Sequence, residues 1–439
     1  MPTTEDLRKK YPRFFYTSYS WEQQKKDLHI SFVFRVPPEI VFHPRIVIKG
    51  VLKDGVEKIE EGIINNLVFH LGLVEMVSYW KATASPEIVV EAGFLNTEQI
   101  AWWEDLLVCG MGEFFYRNHI DFTKQNFLII QSSFYQSHGN GKKITRFSGK
   151  LSNQTLIPVG GGKDAIVTLE RLKKMRHRAF VLNPKQEHNA IFKIAGEKNP
   201  IVVERAIDPT LLELNRKGYL NGHTPFSAYL AFLSVLCAVF FDYKYIAFSN
   251  ERSSNEGNVE YLGRMINHQY SKSFEFEKNF REYSKKYLAK DIEYFSFLRP
   301  LYELQIAKIF ARYPKYFGAF LSCNEANKTK SGTKKPSGKW CGKCAKCLFV
   351  FLVLYPFAKE RTLGIFGKNL AKDKKLKPLL QELTGKKRLK PFECVGTVAE
   401  SRAALSLSQR KLKTHPLLRS WNAKHFLPPR FESILKNSH

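Results

Sequence analysis

The residue types best suited to chemistry fall in two places. In 156-LIPVGGGKDAIVTLERLKK-174 an apolar segment runs into three glycines, then Lys163 and Asp164, then a helical pattern. Glycine lets a backbone approach an anion closely, and a helix start offers unpaired N–H groups and the positive end of its dipole. Gly160, Gly161, Gly162, Lys163 and Asp164 therefore predict a phosphate-binding turn, although the spacing is neither G-x-x-x-x-G-K-[ST] nor G-x-G-x-x-G. Farther on, Cys323, Cys341, Cys344 and Cys347 place a C-x2-C-x2-C run behind a more distant fourth thiol. Four thiolates satisfy a tetrahedral structural Zn²⁺ completely. Buried free thiols and an iron–sulfur cluster are the other readings of that spacing.

Such groups need elements to position them. From Thr155 the chain alternates short apolar strands with helices: TLIPVG, a helix from about Asp164 to Arg176, AFVLN, IVVER, a helix from Phe226 to Phe241, and YKYIAFSN. This alternation predicts an α/β fold with a parallel sheet covered on both faces. Ligands of such sheets lie beyond the C-terminal strand ends. There the glycine turn, Ser249-Asn250-Glu251 and Asn221-Gly222-His223-Thr224 are expected to converge. Glu251 or Glu256 suits Mg²⁺, which favours oxygen ligands and nucleotide phosphates. Arg299, before Pro300 in a stretch that reads as helical, offers a guanidinium to carboxylate or phosphate; an ion pair with Glu303 is its other reading. Upstream, LHISFVFRV and EIVFHPRIVIKG predict antiparallel strands between Asp27 and Val51, and Gln99 to Asn118 an amphipathic helix. The expected division is an accessory α+β domain over 1–150, the parallel-sheet domain over 151–320, and a cysteine-rich metal region with a basic helical end over 321–439.

With 44% hydrophobic residues among 439, the chain supports a folded core and excludes disorder and collagen. Its net charge of +28 is concentrated: from Lys328 to Lys390 eighteen Lys and Arg face only Glu360, Asp373 and Glu382. Such a field attracts polyanions of any kind. The start, MPTTEDLRKKYPRFF, has no apolar leader, and the longest apolar run, Ala228 to Phe241, is shorter than the ~20 residues a bilayer requires. A cytoplasmic protein without membrane insertion is expected. Seven cysteines, four of them crowded together, point to metal ligation over a disulfide framework.

The glycine turn resembles the SGGxDS pyrophosphate loop of the PP-loop (N-type ATP pyrophosphatase, adenine nucleotide alpha hydrolase-like) superfamily, with Gly160 and Ala165 where members carry serines. The cysteine set resembles the zinc site of the PP-loop 7-cyano-7-deazaguanine synthases. A narrower likeness runs through 220-LNGHTPFSA-228, 249-SNERSSNEGN-258, 267-NHQYSKSFEFE-277, 294-YFSFLRPLYEL-304, 340-WCGKCAKC-347, 364-GIFGKN-369 and 390-KPFECVGTVAES-401. These are similar to the family of ATP-dependent UDP-N-acetylmuramoyl-L-alanyl-L-glutamate epimerases of peptidoglycan synthesis, over about Leu156 to Ser401.

The resemblance implies a PP-loop ATP-binding domain over 151–320, and ATP, Mg²⁺ and structural Zn²⁺ as cofactors. ATP would be cleaved between its α- and β-phosphates, with AMP placed on a carboxylate of a UDP-N-acetylmuramoyl-dipeptide. In that dipeptide the glutamate nitrogen is an amide, so pyridoxal chemistry has no amine to engage. Adenylation would cancel the carboxylate charge and acidify the adjacent Cα–H, for one group to remove and another to return from the opposite face. Cys394, His268 and His223 are the candidates for that work, Cys394 ionised by a neighbour such as Lys390. Ser249 and Asn250 join the glycine turn as nucleotide ligands. The alternative is a PP-loop RNA-modifying enzyme that adenylates a nucleobase and binds tRNA through its basic surface; no RRM or KH motif accompanies the charge, and a small-molecule partner is expected over nucleic acid. A nucleotide-binding scaffold without turnover is the third reading.

Overall fold

The strands of the chain are β1 (Arg13–Gln24), β2 (Asp27–Val36), β3 (Ile40–Phe42), β4 (Arg45–Lys49), β5 (Glu87–Val90), β6 (Ile129–Ser132), β7 (Thr155–Pro158), β8 (His177–Leu182), β9 (Ile201–Ala206), β10 (Tyr245–Glu251), a hairpin of β11 (Val259–Tyr261) and β12 (Arg264–Ile266), and β13 (Glu293–Leu298). They are seen in a computed structural model that describes residues 2–51, 58–132, 145–387, 389–409 and 414–437; Met1 and Arg388, counted above in the N-terminal and basic stretches, lie outside these.

Apart from the hairpin, these strands form one sheet in the order β13-β10-β7-β8-β9-β4-β2-β1-β5-β6, with β3 on the edge of β2. The parallel half behaves as its sequence predicts. Alternate residues face two different cores: Leu156, Phe180, Ile246 and Phe248 enter one, and Ile157, Ala179, Val181 and Ala247 the other. Helices on both faces make those cores dry, which explains strands apolar on both sides. The chain steps from β7 to β8 to β9, then returns to the opposite side of β7 at β10. That reversal marks the place, beyond the C-terminal ends of β7 and β10, where open sheets of this kind bind ligands. Gly160–Gly162 follow β7, and Glu251 closes β10.

Three features differ from the sequence reading. No break in the sheet marks residue 150: β4 pairs antiparallel with β9 (Ile46 opposite Arg205), so the N-terminal strands continue the same sheet. The stretch Gln99 to Asn118 is two helices, Thr97–Gly110 and Gly112–Arg117, because Met111 leaves helical geometry. Arg299 follows a strand, β13, and is wholly buried. A helix absent from the sequence reading, Glu61–Trp80, is buried on nearly every side and so lacks the polar stripe that betrays a surface helix. Among the described residues no helix is long and apolar enough to cross a membrane.

Glu75 on that helix is completely buried and meets Arg205 of β9 in a two-pronged pair, Nε to Oε2 2.8 Å and Nη2 to Oε1 2.8 Å. Arg205→Met should cost about 3–5 kcal/mol in urea unfolding, because it strands a buried carboxylate. Adding Glu75→Leu should recover most of the loss. A single variant as stable as the parent would show that the pair does not anchor this helix to β9.

Candidate active site

At that end of the sheet the turn is built by its glycines. Gly161 has φ +77°, and a Cβ there would come within 3.2 Å of the Leu321 carbonyl. The close approach serves a purpose: the Leu321 N–H donates to the Gly161 carbonyl at 2.9 Å, tying the turn to the segment that carries Cys323. A Cβ on Gly160 would meet nothing within 4 Å, so this side is open. Gly162 caps the helix Lys163–Leu172.

Lys163 does not face the opening. It is buried, its Nζ donating to Asp164 Oδ1 at 2.6 Å and to the Glu303 carboxylate. Lys346 reaches the other Glu303 oxygen at 3.6 Å. Burial opposes the Glu303 charge, but Lys163 and then Lys346 outweigh it and hold the acid down at about 2. Glu251 has the opposite fate: burial, with Glu303 and Asp164 close by, pushes it up to about 8. Ser249 Oγ donates to Thr168 Oγ1 at 2.8 Å and Asn250 Nδ2 to Ser296 Oγ at 3.2 Å, so both side chains turn toward neighbouring elements. Glu256 stands apart from this cluster, accepting the Val398 N–H at 3.0 Å and pairing with Lys390 at 3.2 Å.

Arg299 corrects its sequence reading. Its partner is not Glu303 but the buried Glu277, at 3.0 Å. The same guanidinium donates to the carbonyls of Glu251 (2.7 Å) and Lys272 (2.5 Å), and to Ser254 and Ser296. It clamps the chain behind the site and has no face left for a ligand.

The second cluster gathers the predicted Cys394, His268 and His223. Cys394 Sγ lies 3.8 Å from His268 Nε2, and His268 Nδ1 bonds the Glu113 carboxylate. His223 Nδ1 lies 3.8 Å from the same Glu113 oxygen, with its ring centroid 4.3 Å from that of His268. Asn258 registers the parts: its Oδ1 accepts the His268 N–H at 2.8 Å, while its Nδ2 donates to the Pro391 carbonyl at 2.8 Å, three residues before Cys394. The cation beside Cys394 is Lys272, with Nζ 3.2 Å from Sγ; Lys390, proposed for this from sequence, is held by Glu256 instead.

Environment then separates the protonation states. Burial disfavours the Cys394 thiolate, but Lys272 and His268 outweigh it and bring the thiol down to about 5. Burial likewise disfavours charge on His268, yet Cys394 and Glu113 raise it to about 9. Burial, reinforced by neighbouring His268, pushes His223 down to about 3. Near neutrality the cluster holds a thiolate, an imidazolium and a neutral imidazole: two proton acceptors and one donor. The two clusters meet, since Lys272 feels Glu251 and Asp164 as well as Cys394, and Lys346 also donates to the Cys394 carbonyl. Sequence reading missed Glu113, Lys272 and Lys346, which carry no spacing signature because each arrives from a different element.

The four cysteines also converge. Cys323 Sγ is 3.9 Å from Cys344 Sγ and Cys341 Sγ is 3.6 Å from Cys347 Sγ, with all four sulfurs within 4.8 Å of one another. Thiolates about 2.3 Å from one Zn²⁺ in a tetrahedron sit about 3.8 Å apart. Backbone N–H groups of Ala326, Lys343 and Cys347 point at sulfurs at 3.4 Å, as charged acceptors invite. The donor set fits a structural zinc, and it holds Lys346, between two of its cysteines, against Glu303.

Comparison with known proteins accounts for most of the chain. Residues 5–297 match the model of the MurL N-terminal domain, and residues 319–427 that of the MurL C-terminal domain. A protein of Xanthomonas oryzae pv. oryzae is 35% identical over 77% of this chain and 73% of its own length, and one of Micromonospora sp. is 36% identical over 80% and 76%. A protein of Salinispora tropica is 36% identical over 77% and 72%. All three relatives are named UDP-N-acetyl-alpha-D-muramoyl-L-alanyl-L-glutamate epimerase.

Two outcomes follow from the site's geometry. Iodoacetamide labelling of Cys394, followed by peptide mass spectrometry, should rise with pH through a midpoint near about 5, and a midpoint in the ordinary thiol range, about 8.5, would contradict the ion pair. Purified protein should carry about one zinc per chain, lost together with thermal stability in Cys341→Ser. Protein free of metal yet equally stable would rule out a structural zinc.

Proposed function

The chain belongs to the MurL family of epimerases, and from that premise we propose that it inverts the terminal glutamate of UDP-N-acetylmuramoyl-L-alanyl-L-glutamate, at the expense of ATP, for peptidoglycan synthesis. The observation that carries this reading is the Cys394–His268 contact at 3.8 Å, joined through Lys272, 3.2 Å from the sulfur, to a glycine turn where the strand order of a parallel sheet reverses.

On this reading the turn is a PP-loop. Its N–H groups at Gly160–Gly162 hold pyrophosphate, and Asp164 with Glu251 offers oxygen ligands to Mg²⁺, which would take the place of the proton that crowding favours on Glu251. The substrate's α-carboxylate attacks the α-phosphorus of ATP and pyrophosphate departs. The resulting acyl-adenylate no longer carries a charge beside Cα. Cys394 thiolate accepts the Cα proton; His268, in direct contact with that sulfur, holds it ionised, and a second donor returns a proton to Cα from the opposite face. Water then cleaves the D-acyl-adenylate to AMP and the D-glutamyl product, so the sum is ATP, water and L-substrate to AMP, pyrophosphate and D-product. Glu113 fixes the His268 tautomer and favours its imidazolium. Lys163 serves by holding Asp164 and Glu303 in place.

Protein incubated with ATP, Mg²⁺ and the L-dipeptide in deuterated water should form AMP, pyrophosphate and D-epimer labelled with deuterium at Cα. Cys394→Ala should lower epimer formed per AMP released by about a hundredfold or more. ADP and phosphate as the only nucleotide products, or D-product without deuterium, would overturn the scheme.

A further inference from the structure

Lys272 differs from the other two lysines of the site. Lys163 is buried against two carboxylates, and Lys346 is buried against Glu303 and a carbonyl. Lys272 is only half-buried, and among the described residues no carboxylate oxygen lies within ion-pair distance of it. Its partner is the Cys394 sulfur at 3.2 Å. An ammonium has three N–H donors, so two remain for a ligand.

Its backbone is fixed with unusual care: the Lys272 carbonyl accepts from Ser254 Oγ at 2.9 Å and from the buried Arg299 guanidinium. The same guanidinium grips the Glu251 carbonyl, so Arg299 sets the spacing between Lys272 and the nucleotide side of the site. Lys272 faces Cys394, Glu251, Asp164 and Glu303, and Cys394 faces Lys272, His268 and Lys346.

We propose that Lys272 is a catalytic cation with two tasks: it keeps Cys394 charged, and it receives the negative charge that forms on the activated carboxyl oxygen when Cα loses its proton. The second task rests on the epimerase reading above. When the Cα–H bond breaks, its electron pair moves into the Cα–C bond and the carbonyl pair moves onto oxygen, while the proton goes to sulfur. Reprotonation at Cα reverses the flow. That oxygen is bonded to the carbon next to Cα, so a cation already touching the sulfur that removes the proton lies beside it. A fixed cation aimed at developing charge is the arrangement that lowers such a barrier most.

The test uses Lys272→Met and Lys272→Arg in the full chain, with zinc content and circular dichroism monitoring the fold. In the Met variant the Cys394 alkylation midpoint should rise toward about 8.5. Epimer formed per AMP should fall about a hundredfold near neutrality, and should stay at least about tenfold below wild type at the same pH near about 9.5, where the thiolate is restored but the cation is not. Lys272 in the wild type is held above its ordinary value by Cys394 and Glu251 despite burial, so it keeps its charge there. The Arg variant should keep the low midpoint and part of the epimer yield. Full recovery of the Met variant at high pH would remove the carboxyl-oxygen role; an unmoved midpoint would remove the thiolate role. If wild-type protein makes no epimer while the alkylation midpoints behave as stated, the epimerase reading fails and the Lys272–Cys394 pair stands.

Discussion

Charge buried without water must be balanced by opposite charge close at hand, and that requirement organises this protein. Lys163, Lys346 and Lys272 interlock with Asp164, Glu303, Glu251 and the Cys394 thiolate, so no member can be moved without exposing another. Balance is incomplete at two places. Glu251 lies beside Glu303 and Asp164, and burial with those neighbours pushes its carboxyl up; among the described residues no carboxylate oxygen is within ion-pair distance of Lys272, whose partner is a sulfur.

The rest of the fold keeps that network in register. The strand order reverses at β7, with β8 on one side and the parallel β10 on the other, which places the glycine turn and Glu251 side by side at the same end of the sheet. Arg299 ties β10 to the Lys272 turn from behind. The four cysteines fasten the other side, because Leu321 binds the glycine turn and Lys346 binds both Glu303 and the Cys394 segment. A zinc held by all four would have no position left for substrate; the contribution of these cysteines here is to place two neighbouring segments.

What could be read from sequence follows from how local each signal is. The glycine turn, the strand–helix alternation and the cysteine run are contiguous patterns, and each appears where its spacing placed it. Cys394, His268 and His223 are candidates through resemblance and residue type, whereas their meeting depends on Asn258 and Glu113, which join segments more than a hundred residues apart. Lys390 was the nearer lysine in sequence and Lys272 the nearer in space. Arg299 reads as a ligand because a guanidinium fits carboxylate or phosphate; only burial reveals that every direction around it is taken. The helix Glu61–Trp80 was invisible for a related reason, since a segment buried all round has no amphipathic period.

The proposed reaction requires the glycine turn and the thiolate cluster to act on one carboxyl group. The most direct measurement is a crystal structure with the acyl-sulfamoyl adenosine analogue of the dipeptide. The sulfamoyl group should lie on the N–H groups of Gly160–Gly162 and the glutamate Cα in van der Waals contact with Cys394 Sγ, with Lys272 Nζ within hydrogen-bond reach of the acyl oxygen, about 2.7–3.1 Å. An analogue bound at the turn with its glutamate directed away from Cys394 would contradict that requirement.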